Sequence, residues 1–158
     1  MDAYLPYLIA LAIGFVAGLR AMTAPAAIAW AAYLGWGGFT LTGTALSFMG
    51  SLVAVIVFSA LAVFELISDQ LPKTPSRKVP VQFATRLLMG GLTGACIGVV
   101  TQTLFAGIAC GVVGAVLGTY IGAAFRAGLA RAFGKDLPAA LIEDVIAIGG
   151  AWLLLHGF

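Results

Sequence analysis

Charged residues are scarce in this sequence. Asp, Glu, Lys and Arg together make up 9% of its 158 residues, whereas a soluble domain has about a quarter. Hydrophobic residues make up 62%, and the mean hydropathy is +1.11. These values exclude an ordinary soluble domain and predict one integral membrane domain over residues 1–158. The net charge of +2 gives no sign of a nucleic-acid partner, and membrane lipid is the expected surrounding.

Histidine and cysteine are also scarce. The single histidine, His156, lies near the end of the chain. Cys96 and Cys110 fall inside apolar segments, where a free cysteine is usually a small packing residue. The sequence offers no readable Ser-His or Cys-His pair and no cluster with metal-ligand spacing. We therefore expect no catalytic residues, no metal and no cofactor.

Apolar and polar residues do not alternate with a period of two, and this decides between the two kinds of membrane-spanning fold. The hydrophobic runs have the length of helices, which favours a helix bundle over a β-barrel. The sequence predicts an all-α polytopic membrane bundle of about six apolar segments. Their expected bounds are residues 4–19, 24–36, 45–71, 81–100, 104–133 and 137–155.

Glycine is abundant and recurs at every fourth position, so that it forms a stripe along one face of a helix. In lipid such a stripe lets helix backbones approach closely. The fourth and fifth segments form a hairpin around the short turn 101–103, and each stripe ends in an arginine at the end away from the turn. An arginine in this position points into the protein, or else marks the membrane surface. The expected packing residues are Gly14, Gly18, Gly90, Gly94, Gly98, Gly114, Gly118 and Gly122, and the arginines are Arg20, Arg86 and Arg126.

Two segments begin with helix-breaking residues. Thr23 and Pro25 begin the second segment, Asp136 and Pro138 begin the sixth, and proline suits a first helical turn. We expect Thr23 or Ala24 and Asp136 to be the capping residues. The second segment, at about 1.5 Å per residue, spans only about 20 Å, less than the ~30 Å core of a bilayer. The first two segments therefore either span the bilayer or form a short re-entrant hairpin.

Basic residues are confined to alternate connections between the segments. They are Arg20; then Lys73, Arg77, Lys78 and Arg86; then Arg126, Arg131 and Lys135. Because cytoplasmic loops collect Lys and Arg, the pattern predicts that the loop 73–80 is cytoplasmic and that both termini lie outside.

Four acidic residues fall within the predicted spans at nearly one depth. They are Glu65 and Asp69 on the third segment, and Glu143 and Asp144 on the sixth. Ionisable groups inside a membrane usually face one another or a water-filled cavity. We expect a belt of charged residues near the cytoplasmic side that contains these four acids with Arg20, Arg86 and Arg126. The belt is either a site for an ion or substrate or a set of ion pairs that keeps the helices in register.

Several stretches in this order resemble a known family. They are Gly18-Leu19-Arg20 with Pro25-Ala26-Ala27, residues 65–72 with Pro75-Ser76-Arg77, Arg86 with its glycines, and residues 140–144. Together they resemble the small bacterial multi-pass membrane proteins of domain-of-unknown-function family 4126. This chain has Gln70 where such proteins have a lysine. The resemblance implies a protein of the bacterial inner membrane and supplies no activity.

The functional expectation rests on the charged belt. We expect a membrane transporter or channel for a small ion or solute, with the belt as its site. The alternative is a structural, assembly or lipid-handling protein in which the charges only hold the helices together. Since six short helices can barely enclose a pore, transport also predicts a homodimer.

Overall fold

A computed structural model describes residues 4–70 and 79–157. Over these residues the protein is helical and contains no strand, which confirms the predicted all-α bundle. The helices are α1 (Leu5–Leu19), α2 (Thr23–Leu34), α3 (Leu52–Ser68), α4 (Pro80–Val100), α5 (Leu104–Phe133) and α6 (Asp136–His156). Two short 3-10 turns, Trp36–Gly38 and Ser47–Gly50, lie between α2 and α3.

Among the described residues, three helices are long and apolar enough to cross a membrane: α4, α5 and α6. The other three are shorter apolar helices. Large apolar side chains cover much of the outer surface; Phe105 is 84% exposed and Val81 73%. A soluble protein does not leave so much apolar surface in water, whereas lipid solvates it. The protein is therefore a membrane-associated helix bundle.

Glycine packing joins α1, α4 and α5, which make the most extensive contacts in the fold. A Cβ atom built on Gly18 would lie 2.7 Å from Gly118 Cα, so α1 and α5 touch through their backbones. A Cβ on Gly94 would lie 2.9 Å from Gly111 Cα, which joins α4 to α5 in the same way. A Cβ at Gly14, Gly90, Gly98 or Gly114 would likewise lie within 3.0 Å of an atom in a neighbouring element, and Gly122 is buried.

The α5 helix presents two glycine faces, of which the sequence indicated one. Gly114 and Gly118 face α1, and a second pair, Gly107 and Gly111, faces α4. The sequence did not indicate the second pair, because Gly107 and Gly111 do not belong to the four-residue series Gly114, Gly118 and Gly122. One glycine-rich helix is thus packed between two others.

Three predicted boundaries were wrong. The third segment begins at Leu52 and not near residue 45, because Ser51 caps α3 by accepting a hydrogen bond from Ala54 N at 3.1 Å. Thr23 is the first residue of α2 and not its cap, and the preceding residue is Met22. Asp136 is likewise the first residue of α6, and Lys135 precedes it.

The break between α1 and α2 is the fold's main irregularity. Arg20 has extended backbone angles (φ −139°, ψ 109°), so the helix stops and restarts within a few residues. Pro25 follows in the first turn of α2, and Pro138 occupies the corresponding place in α6. The 15 residues of α1 and the 12 of α2 give lengths of about 22 Å and 18 Å. Both are shorter than the ~30 Å hydrocarbon core, and the re-entrant hairpin stays a prediction beside two full spans. Most of the predicted cytoplasmic loop, residues 73–78, and residues 1–3 and 158 of the termini lie outside the described residues.

Candidate functional site

The charged residues of the predicted belt come together around the α1–α2 break. We call the set the charge centre: Arg20, Glu65, Asp69, Arg86, Arg126, Glu143 and Asp144. Arg86 lies six residues into α4 and Glu143 seven residues into α6. At 1.5 Å per residue both are about 10 Å from the helix start, so the charge centre lies inside the bundle.

Arg20 occupies the middle of the charge centre and is completely buried. Its Nε donates to Asp144 Oδ1 at 2.6 Å, and its Nη2 lies 2.5 Å from the same oxygen. Its Nη1 donates to Asp69 Oδ2. Glu143 Oε2 lies 3.8 Å from Nη2. One guanidinium group therefore contacts carboxylates from both α3 and α6.

Glu65 binds the backbone of the helix break. Its two carboxylate oxygens accept hydrogen bonds from Ala21 N and Met22 N, each at 2.8 Å. The first N–H groups of a helix have no partner within the helix, and a carboxylate there also interacts favourably with the helix dipole. A side chain of α3 thus caps α2, in the role that the sequence assigned to Thr23 or Ala24.

Arg86 binds the other side of the break. Its Nη1 donates to Gly18 O at 2.8 Å and to Leu19 O at 2.7 Å, and these are among the last carbonyl groups of α1. Its Nη2 lies 3.7 Å from Glu65 Oε1. Arg86 and Glu65 together therefore satisfy backbone groups on both sides of the break, and each also carries a charge that the other compensates.

Arg126 lies at the edge of the charge centre. Its Nη1 is 3.7 Å from Glu143 Oε2, and its Nη2 donates to the backbone oxygen of Asp69 at 2.9 Å. Its closest carboxylate is that of Asp136, 2.5 Å from Nη2. The sequence had assigned Asp136 to a helix cap and did not pair it with Arg126. Their separation of ten residues across the α5–α6 turn was the signal that could have indicated the pair.

The charge centre carries more negative than positive charge. Within the part of the chain that the structure describes, it contains three guanidinium groups and four carboxylates, so its formal charge is −1 when all are ionised. The described residues contain no group of three or more His, Cys, Asp and Glu side chains that could hold a metal ion. Guanidinium groups lie between the carboxylates of the charge centre.

Apolar clefts open on the sides of the bundle next to the charge centre. One, of about 210 Å³, lies between α1, α5 and α6 and is lined by Phe15, Phe125 and Glu143. Another, of about 260 Å³, lies between α2, α3 and α6 and includes Thr23 in its lining. These lipid-facing clefts therefore extend to the buried side chains of Glu143 and Thr23.

A comparison with protein families identifies the family of this chain. The sequence profile of the family described as "Domain of unknown function (DUF4126)" matches residues 7–157. The chain belongs to the DUF4126 family. No curated protein and no solved structure matches it. Each of the four stretches that resemble DUF4126 proteins supplies a residue to the charge centre: Arg20, Glu65, Arg86 and Glu143 are examples.

Proposed function

We propose that the protein is a membrane transporter for a small ion or solute, and that the charge centre is its binding site. The observation that carries the proposal is the fully buried Arg20, set in a helix break and surrounded by carboxylates from two other helices. Interrupted helices in transporters place their broken ends around the transported ion or substrate. Charged residues inside a membrane domain are rare and mark ion pathways and proton relays in pumps and transporters.

The carboxylates of the centre favour a cation as the transported species. Asp69, Glu143 and Asp144 converge on Arg20, and carboxylates inside membrane proteins form cation and proton pathways. A proton needs no ligand geometry beyond a carboxylate oxygen, which suits a centre where guanidinium groups separate the acids. We therefore propose a small cation, in the simplest case a proton. Asp69, Glu143 and Asp144 around Arg20 are its binding groups.

The proposal includes a location and an assembly. The resemblance to small bacterial membrane proteins favours the bacterial inner membrane. The distribution of Lys and Arg favours both termini outside and the loop 73–80 in the cytoplasm. A homodimer supplies the helices that a single six-helix chain lacks for enclosing a pathway. Cross-linking in native membranes measures the assembly directly.

A structural role is the second candidate, and the contacts of Glu65 and Arg86 favour it. Both side chains bind backbone groups of the α1–α2 break. They would hold that break together whether or not an ion ever bound. If all seven charged residues act in this way, the charge centre only fixes the helix register.

Flux measurements on purified protein in liposomes test the two candidates. Imposed gradients of H⁺, Na⁺ and K⁺ are followed with pH-sensitive and cation-sensitive dyes. We expect flux of one cation with the parent protein and none with Glu143→Gln, although the variant remains folded. The matched control is Asp2→Asn, the same chemical change at the N-terminal end of the sequence, which should transport like the parent. If the parent protein carries none of the three cations and Glu143→Gln is much less stable than the parent, transport is excluded and the structural role is supported.

A further inference from the structure

The cleft between α2, α3 and α6 has a composition that differs from the rest of the lipid-facing surface. Its lining contains the three tryptophans of the chain, Trp30, Trp36 and Trp152, and no charged side chain. Small residues such as Ala27 form its floor. Trp30 and Trp152 are 39% and 48% exposed, so the cleft opens sideways toward the hydrocarbon of the bilayer.

One polar atom in this lining has no partner. Thr23 is only 6% exposed. Its Oγ1 has no hydrogen-bond partner among residues 4–70 and 79–157. A helical threonine normally donates to the carbonyl four residues earlier. Here that carbonyl belongs to Leu19, on the far side of the break at Arg20, and it accepts from Arg86 Nη1 at 2.7 Å. The break thus leaves a buried hydroxyl in the lining of the cleft.

Another polar pair of the lining is satisfied internally. Trp30 Nε1 donates to Ser59 Oγ at 3.0 Å, which ties α2 to α3 along one wall. The hydroxyl of Thr23 is the buried polar group of the lining without a partner among the described residues, so an occupant can gain a hydrogen bond there. A buried hydroxyl without a partner costs free energy, and an occupant that supplies a donor or acceptor removes this cost.

The chemistry of the lining selects the occupant. A charged headgroup is excluded because a charge without a counter-charge in apolar surroundings is costly, and the lining supplies no counter-charge. A volume of about 260 Å³ is small for a ligand pocket, so one narrow chain fits better than a bulky ring system. The tryptophan and alanine side chains offer apolar contact along most of the cleft, and Thr23 offers one polar contact.

We propose that this cleft binds a single-chain, uncharged lipid whose hydroxyl or carbonyl group bonds to Thr23. Its hydrocarbon chain lies along α2 between the tryptophans. The proposal does not depend on ion transport through the charge centre. It assigns a lateral lipid site to a face of the protein whose neighbours are otherwise bulk lipid.

Tryptophan fluorescence measures this binding directly, because every tryptophan of the chain lines the cleft. The full chain in nanodiscs of unbrominated phosphatidylcholine is titrated with a dibrominated long-chain alcohol, the corresponding methyl ester and the corresponding alkane. Bromine quenches tryptophan on contact. We expect saturable quenching with the alcohol or the ester, and a weaker, linear decrease with the alkane from collisions in the bilayer. Equal and linear quenching by all three probes would overturn the proposal.

Two variants and a control locate the site. Thr23→Val keeps the shape and removes the hydroxyl, so the affinity for the alcohol or ester should fall about two- to tenfold, the range for one hydrogen bond, with unchanged maximal quenching. Ala27→Leu fills the cleft and should abolish the saturable phase. Ala12→Leu, in a different lateral cleft between α1 and α6, should leave it unchanged. If Thr23→Val binds the alcohol and the ester as tightly as the parent, the assignment of the polar contact is wrong.

Discussion

Arg20 and Asp144 are 124 residues apart in the sequence, and the structure places Arg20 Nε 2.6 Å from Asp144 Oδ1. The contact joins the end of α1 to the middle of α6, and it lies where solvent does not reach Arg20. Since a buried charge needs its partner far more than an exposed one does, this pair is a sensitive point for stability.

Replacing Arg20 by glutamine should destabilise the protein strongly. The change leaves Asp69 and Asp144 without their main counter-charge, and the loss of one partner of a buried pair typically costs about 3–5 kcal/mol. Thermal unfolding in detergent measures the effect. The control is Arg131→Gln, at an exposed position of α5, which should stay within about 0.5 kcal/mol of the parent. Equal melting temperatures for the two variants would contradict a central role for Arg20.

Replacing Glu65 by glutamine should loosen the α1–α2 break. A glutamine has one oxygen where Ala21 N and Met22 N need two, so one buried N–H loses its acceptor, at about 1–3 kcal/mol. A second change, Arg86→Gln, should lower stability further and not restore it, because Gly18 O and Leu19 O then lose their donor. Unfolding of the single and double variants tests this. If the double variant recovers the stability of the parent, the Glu65–Arg86 charge pair, and not the backbone hydrogen bonds, determines the stability of the break.

Replacing Gly118 by alanine should separate α1 from α5. A Cβ at this position would lie 2.9 Å from Phe15 C and 3.0 Å from Gly18 Cα, and these are backbone atoms that cannot move aside. Overpacking of this kind costs about 1–3 kcal/mol. Gly128→Ala on the same helix is the control, since nothing lies within 4 Å of its Cβ. If both variants unfold at the temperature of the parent, close backbone packing is not what holds α1 against α5.

Glu143 should react with a hydrophobic carbodiimide that enters from the lipid. Its side chain lines the cleft between α1, α5 and α6, and such reagents modify carboxyl groups in apolar surroundings. We expect modification of Glu143, found by mass spectrometry. Glu143→Gln should remove the modified peptide. Modification confined to the exposed Asp136 would show that the cleft does not give access to the charge centre.

An impermeant thiol reagent tests the proposed sidedness. Thr42→Cys lies in an exposed turn between α2 and α3 and should be labelled in intact cells. Ser76→Cys, in the loop 73–80, should be labelled only after permeabilisation. The parent chain is the control, because Cys96 is buried and Cys110 half-buried. Labelling of Ser76→Cys in intact cells would reverse the proposed orientation.

The helices could be predicted wherever turn chemistry delimits them. The predicted bounds 104–133 of the fifth segment agree with α5, because the Thr101–Thr103 turn precedes it and Gly134, with φ of 65°, follows it. The start of α3 was missed, since the apolar run 45–50 looks helical in sequence. Met49 in that stretch is completely buried in the 3-10 turn before α3, so its apolar character reflects packing and not a membrane span.

The sequence predicted the depth of the charge centre and the proximity of Arg86 and Arg126 to its acids, but not the individual partners. Helix lengths place Arg86 and Glu143 at one level, because each lies a similar distance from the start of its helix. The partner of Glu65 is backbone at the end of another helix. No sequence pattern reports a free N–H group, so the sequence could not reveal that a carboxylate of α3 caps α2.

The position of α3 decides whether the charges around Arg20, Arg86 and Arg126 are negative in total. This helix packs mainly against α2 and the 3-10 turn Ser47–Gly50, whereas α1, α4 and α5 are locked together through glycine backbones. An element with few packed neighbours is the one that moves at least cost. Asp136 also pairs with Arg126, so with Glu65 and Asp69 in place the three guanidinium groups face five carboxylates and the total is −2; without these two, they face Glu143, Asp144 and Asp136 and the total is 0. A shift of α3 that released its contacts with Arg20 and the α1–α2 break would therefore turn an environment that attracts cations into a neutral one.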